Sequence, residues 1–350
     1  MIPENKIDPA DRYSRQTLFS PIGLSGQEKL QKAHAAVIGV GATGAAAASL
    51  LARAGIGTLT LIDRDFVEPS NLQRQVLFTE ADALEALPKA EAARRRIADF
   101  NSDVTVHAHI ADLTPANIHA LLGEADILLD ATDNFETRYL LNDYAVQQQK
   151  PWIYTAAIGS YAATMNILPA DLGEARRTAC LACIFPAPPT GVVETCDTAG
   201  ILNTAVNLAA SLAVTEALKL LTGNASAMRR TLFSLDLWTG DHSEIRTGAP
   251  RSDCETCAHH RFPHLEGAGR PQITLCGRNS VQIHEHNRPV DLQELSERLS
   301  PHGAVRFNQM LLRFERAPHT LTVFADGRAL IQGTTDVAVA RSLYARFIGS

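Results

Sequence analysis

The sequence predicts an α/β fold, a mostly parallel sheet followed by a small α+β unit, and three observations carry that prediction. Short apolar runs alternate with helical stretches through roughly the first 150 residues. A glycine-rich turn, Gly39-Val40-Gly41-Ala42-Thr43-Gly44, joins the first run to a helix of small residues. Beyond residue 271 the pattern changes to short strands between two helices.

A helix over residues 25–32 leads into the strand AAVIGV, and the strands TLTLID, VTVHAHI and DILLDAT come after it. Between them lie helices such as KAEAARRRIADF, whose Arg94, Arg95 and Arg96 read as a solvated face. WIYTAAIGSYAATMNILPAD reads as two strands joined through Gly159, and residues 201–221 as a long helix stopped by Gly223. The Pro/Gly-containing text PHLEGAGRP then separates a first domain, residues 1–262, from a second, residues 271–350. The second reads as strands ITLCG and SVQIHE, helix DLQELSERL, strands around AVRFNQMLLRFE and LTVFADGRALIQG, and a closing helix DVAVARSLYARFI. Asp326-Gly327 is its hairpin turn.

A net charge of -6 and a pI near 6.1 argue against a nucleic-acid surface. No apolar run reads as long enough to span a bilayer, and the polar start MIPENKIDPADRYSRQ lacks a secretory segment. A cytoplasmic protein with no membrane or nucleic-acid partner is expected. Four of the six cysteines form two C-x-x-C pairs, Cys180/Cys183 and Cys254/Cys257, which in a reducing compartment suggests metal rather than disulfides. The interval between the pairs is far longer than in a zinc ribbon. One Zn²⁺ would tie two distant segments in a closed, structural site. His259 and His260 lie close behind and read as surface residues.

Gly39, Gly41 and Gly44 form a G-x-G-x-x-G between strand and helix, and Asp63 closes the second strand. This Rossmann-like arrangement lets backbone approach a phosphate chain and gives a carboxylate for ribose hydroxyls, which suits NAD and ATP equally. Three segments beyond Asp63 favour ATP: RDFVEPSNLQRQVLF, then LPKAEAARRR, then LLDATDN. Adenylation of an already ionised carboxylate needs no base. It needs cations to cancel repulsion between two anions and a carboxylate to hold Mg²⁺. Arg74, Lys89 and Asp133 are residues of those types.

Together RYSRQ at residues 12–16, the glycine loop, IDRD, SNLQRQ, Lys89 and ATDN resemble the ThiF/MoeB/HesA adenylyltransferases, over about residues 11–261. The resemblance implies a homodimer that uses Mg-ATP to adenylate the C-terminal glycine of a ubiquitin-like sulfur carrier ending in Gly-Gly. Thiamine, molybdopterin or a related sulfur-transfer pathway would be served, with a sulfurtransferase or cysteine desulfurase as sulfur donor. It also implies that Gly41 lies in the phosphate loop, Asp63 binds ribose, and Asn71 and Arg74 contact phosphates. Lys89 would stabilise the α-phosphate, Asp133 hold Mg²⁺ and Asn134 frame the nucleotide, while Arg15 would reach the neighbouring subunit's phosphates. Ala42 departs from the family's usual G-x-G-G-x-G. Cys196, in PAPPTGVVETCDTAG, matches the family's loop cysteine, which could attack the acyl-adenylate. Cys276, in ITLCG, reads as a buried small hydrophobe, and the second domain has no assigned role. Two rivals stand beside this reading. An NAD-dependent oxidoreductase leaves SNLQRQ and the cysteine pairs unexplained, and a non-catalytic scaffold need not keep every charged position.

Overall fold

The computed structural model describes residues 8–187, 196–267, 273–276, 280–283, 289–308 and 310–349. The chain forms two compact units, Met1–Ala268 and Gly269–Ser350.

The first unit is organised on one eight-stranded sheet. Its strands are β1 (His34–Ile38), β2 (Thr58–Ile62), β3 (Thr105–His109), β4 (Ile127–Asp130), β5 (Trp152–Ile158), β6 (Tyr161–Ile167), β7 (Thr231–Asp236) and β8 (His242–Arg246), in the order β3-β2-β1-β4-β5-β6-β7-β8. The pairs from β3 through β5 are parallel and those from β5 to β8 antiparallel. Sequential strands step outward from β1 on one side, and β4 then opens the other. That reversal between β1 and β4 leaves a crevice at their C-terminal ends, where α/β sheets take ligands.

The longer helices of this unit are α1 (Gly23–Leu30), α2 (Ala42–Ala54), α3 (Lys89–Phe100), α4 (Phe135–Gln147) and α5 (Asn203–Leu221). In α2 a run of alanines supplies high helix propensity with little bulk, and Gly55 ends it in a left-handed cap at φ +87. Alanine packing brings α5 close against α2 and against β5 and β6, around fully buried Leu51 and Ala210. Trimming such a leucine to alanine costs about 2–5 kcal/mol.

Helix α5 corrects one expectation, since by length and composition alone it could cross a membrane. Here it is a core helix carrying a buried carboxylate, Glu216, 2 % exposed. Glu216 accepts hydrogen bonds from Asn166 Nδ2 (2.7 Å), Lys219 Nζ (2.8 Å) and both the main-chain N–H and Nε of Arg229 (2.9 and 3.0 Å). The helices predicted at 25–32 and 201–221 begin two residues earlier and two residues later, respectively, than expected. Strands β7 and β8 have no counterpart among the predicted elements. Their faces are half-exposed and exposed, so neither shows a buried apolar alternation.

The second unit is an antiparallel sheet of β9 (Ile273–Cys276), β10 (Ser280–Ile283), β11 (Ala304–Phe307), β12 (Leu311–Arg316), β13 (His319–Phe324) and β14 (Ala329–Gln332), ordered β11-β12-β13-β14-β10-β9. Helices α6 (Leu292–Leu299) and α7 (Val337–Phe347) are each capped by an aspartate, Asp291 and Asp336. They cover a core of Phe314, Val323, Ile331 and Tyr344. The hairpin expected at Asp326-Gly327 joins β13 to β14, with Gly327 at φ +88. Cys276 lies on β9, and the burial expected of its side chain falls outside the described residues.

Candidate active site

The glycine loop sits in the crevice and is shaped by what its glycines lack. Gly39 turns at φ +83, and a Cβ there would stand 2.8 Å from the carbonyl oxygen of Ala131. A Cβ on Gly44 would collide with the carbonyl of Gly39 itself. These two glycines therefore let the loop fold on itself and touch the turn after β4. Gly41 instead has room for a Cβ, with only Gln75 Nε2 within 4 Å (3.9 Å), and is the N-cap of α2 without a side-chain cap. The first N–H groups of α2 are left for an anion, with the positive end of the helix dipole behind them.

Asp63, at the end of β2, is buried and ties this loop down. Its Oδ2 accepts the Val40 N–H (2.6 Å) and its Oδ1 the Asp65 N–H (2.7 Å). Burial pushes this carboxyl above the ordinary aspartate value, against the pull of Lys89. Lys89, first residue of α3, is buried with its Nζ 3.1 Å from Asp65 Oδ2. Burial alone would lower its pKa. Asp65, then Asp63 and more weakly Asp133 outweigh burial and raise it, so the ammonium stays charged at neutral pH. Asp65, within IDRD, has no role implied by its sequence, yet its carboxylate holds Lys89.

Asp133 is exposed after β4, and its carboxylate has no hydrogen bond or ion pair among the described residues. The turn that carries it is fixed from below. Asp130 is fully buried; its Oδ1 accepts the Thr132 N–H (3.0 Å) and hydroxyl (2.7 Å), and its Oδ2 lies 3.2 Å from Arg138 Nε. Arg138, on α4, also donates to the carbonyls of Thr132 (2.6 Å) and Thr155 (3.0 Å). Asn134 caps α4, its Oδ1 accepting the Thr137 N–H (2.8 Å). That structural task stands beside its expected contact with nucleotide.

SNLQRQ forms a tight turn. Asn71 is buried, and its Oδ1 accepts the Glu68 N–H (3.1 Å), while Arg74 is half-buried with Nη1 on the Ser70 carbonyl (2.8 Å). In RYSRQ, Arg12, Tyr13 and Gln16 are anchors. Arg12 donates to the Phe100 carbonyl (2.7 Å), the Tyr13 hydroxyl accepts from Asn101 (2.9 Å), and Gln16 donates to the Ala54 carbonyl (2.8 Å). Arg15 is left exposed, with no bonded partner among the described residues.

The four paired cysteines converge. Cys180 Sγ lies 3.8 Å from Cys183 Sγ and 3.6 Å from Cys254 Sγ, and Cys183 Sγ lies 3.4 Å from Cys257 Sγ; all four fall within 4.8 Å. A tetrahedral zinc with Zn–S of about 2.3 Å would separate its sulfurs by about 3.8 Å, so the cluster fits one. His259 and His260 are exposed, as expected of them. Cys196 starts a short helix, Cys196–Ala199; the loop before it and its side chain lie outside the described residues.

The chain is similar to known proteins along most of its length. The ThiF family model matches residues 13–256, and the chain belongs to that family. It is 45 % identical over 342 residues to the sulfur carrier protein ThiS adenylyltransferase of Bacillus subtilis (strain 168), covering 97 % of this chain and 99 % of that one. It is 35 % identical to the SAMP-activating enzyme E1 of Haloferax volcanii (strain ATCC 29605 and its equivalents), over 73 % of this chain and 92 % of that one. Among solved structures it resembles the crystal structure of E. coli MccB with MccA-N7isoASN, with a TM-score of 0.62 at 24 % identity, covering 72 % and 76 % of the two chains. That last likeness speaks for the fold alone.

Proposed function

We propose that this chain is an adenylyltransferase that uses ATP to activate the C-terminal glycine carboxylate of a ubiquitin-like sulfur carrier of the ThiS/MoaD type. One observation carries the reading. A glycine-rich loop, a buried lysine held among carboxylates and an unbonded aspartate converge where the sheet reverses. Kinship with a relative named for ThiS along nearly its whole length supports the substrate class.

In the reaction a carrier carboxylate oxygen attacks the α-phosphorus, and the bond from that phosphorus to the β-phosphate oxygen breaks, releasing pyrophosphate. Backbone N–H groups around Gly41 and the start of α2 receive phosphate oxygens, and Asp63 receives the ribose. Lys89 leaves Asp65 for the α-phosphate, where charge changes most between ground state and transition state. Asn71 and Arg74 steady the remaining phosphates. Asp133 would hold Mg²⁺, which supplies charge relief on the departing pyrophosphate. Arg15, held outward by its anchored neighbours, would complete the site of a second copy in a homodimer. Cys180, Cys183, Cys254 and Cys257 would hold a structural zinc. Cys196 would act after adenylation, on the activated carbonyl or on sulfur brought by a sulfurtransferase or cysteine desulfurase.

ATP–pyrophosphate exchange against a panel of carriers ending in Gly-Gly tests this reading. Exchange with at least one carrier is expected, and no exchange with any, in protein that still binds ATP, overturns it.

A further inference from the structure

Gln75 closes SNLQRQ and serves the fold poorly. It is 4 % exposed, yet its Oε1 is buried without a hydrogen-bond partner. Its backbone is fixed, with its N–H on the Asn71 carbonyl (2.9 Å) and its own carbonyl accepting the Phe78 N–H (3.1 Å). A buried acceptor left unpaired costs stability, and an apolar residue of the same size would spare that cost.

The position of the carboxamide accounts for its presence. A Cβ built on Gly41 meets a single neighbour within 4 Å, Gln75 Nε2 at 3.9 Å. The otherwise open face of the phosphate loop is thus walled by one N–H donor. Nitrogen toward the loop is the orientation a phosphate oxygen would select, since a carbonyl oxygen there would repel it.

We propose that Gln75 is a further nucleotide-contacting residue, its side-chain amide donating a hydrogen bond to the triphosphate chain lying over Gly41. The proposal rests on the reading that this loop holds ATP, and it makes Gln75 a residue kept for ligand at the expense of the ligand-free fold.

Two variants of the full chain, Gln75→Leu and Gln75→Glu, are compared with the parent by thermal unfolding without nucleotide and by calorimetric ATP titration. Gln75→Leu should keep or raise the ligand-free Tm while binding ATP about tenfold more weakly, the worth of one hydrogen bond to an anion. Gln75→Glu should bind more weakly still, with a deficit that shrinks as salt rises. Unchanged ATP affinity in Gln75→Leu overturns the proposal, and so does a Gln75→Leu protein that melts well below the parent or fails to fold, since either marks a structural role. If the parent itself binds no ATP, the functional reading falls first; if it binds and Gln75→Leu binds equally, only this proposal falls.

Discussion

Cations stand at a concavity in each unit, for opposite reasons. In the second unit Arg298, His302, Arg316 and Arg346, with Leu299 and Phe347, line a depression of about 250 Å³. Arg298 donates to the carbonyls of Phe347 (3.3 Å) and Ile348 (2.8 Å) at the end of α7. Arg316 and Arg346 lie over the Phe347 ring at 5.5 and 5.1 Å. The ends of α6 and α7 gather here, and the last carbonyls of α7 already take Arg298. In the first unit the concavity meets the opposite end of a helix, the uncapped start of α2, and Lys89 stands at the start of α3. Counting cations does not find an anion site. The sign of the helix terminus beside them decides whether an anion is wanted.

The sharpest break of this comparison removes a cation and then an anion from the first unit's site. Lys89→Ala should lower pyrophosphate exchange about 10²–10³-fold, with a smaller loss in ATP binding, because its charge acts mainly in the transition state. Asp133→Ala should abolish the Mg²⁺ dependence of whatever exchange remains. A loss confined to ATP affinity, with turnover unchanged, would place Lys89 in ground-state binding instead. Next in size is the cysteine cluster. Cys254→Ser/Cys257→Ser should lose the one zinc per chain that elemental analysis is expected to find, and melt lower, since a closed site stabilises the fold rather than the reaction.

Glu216→Ala should cost about 3–5 kcal/mol, because it strands the buried side of Arg229. Burial pushes Glu216 up, but Lys219 and Arg229 outweigh that and hold its pKa below the ordinary glutamate value. Its contribution is therefore full above the unfolded value, about 4.3, and is lost as pH falls through the folded one. The Tm gap between parent and Glu216→Gln should close on acidification; a gap constant from pH 7 to strong acid would show that the charge is idle. Smallest is Arg298→Ala, expected to cost about 0.3–1 kcal/mol through the end of α7 and leave exchange untouched. Loss of exchange in that variant would mean that the second unit's cations take part in the reaction.

What the sequence disclosed tracks burial and order along the chain. β1, β2 and β4 are buried on both faces and stand out as apolar runs, and the glycine loop and cysteine pairs announce themselves by spacing. β7 and β8 carry no such pattern because their faces meet solvent. Partnerships across space were equally hidden. Lys89 and Asp65 are 24 residues apart, and nothing local joins them. A signal did exist for Arg138, a charged residue among Tyr139, Leu140 and Leu141 on a buried helix face, which demands a buried partner. None marked Gln75, whose importance lies in a bond it does not make.

The cysteine cluster also has a meaning as chain topology. Its two pairs lie 74 residues apart along the sequence, and β7, β8 and α5 all fall in the span between them. A metal at that knot would close the span into a ring and remove many of the conformations open to the unfolded chain, an entropic gain of about 4 kcal/mol by analogy with a covalent cross-link. Such a ring opens and shuts without chemistry on the chain itself. Metal supply during synthesis would then set how readily β7, β8 and α5 assemble onto the strands N-terminal to the knot.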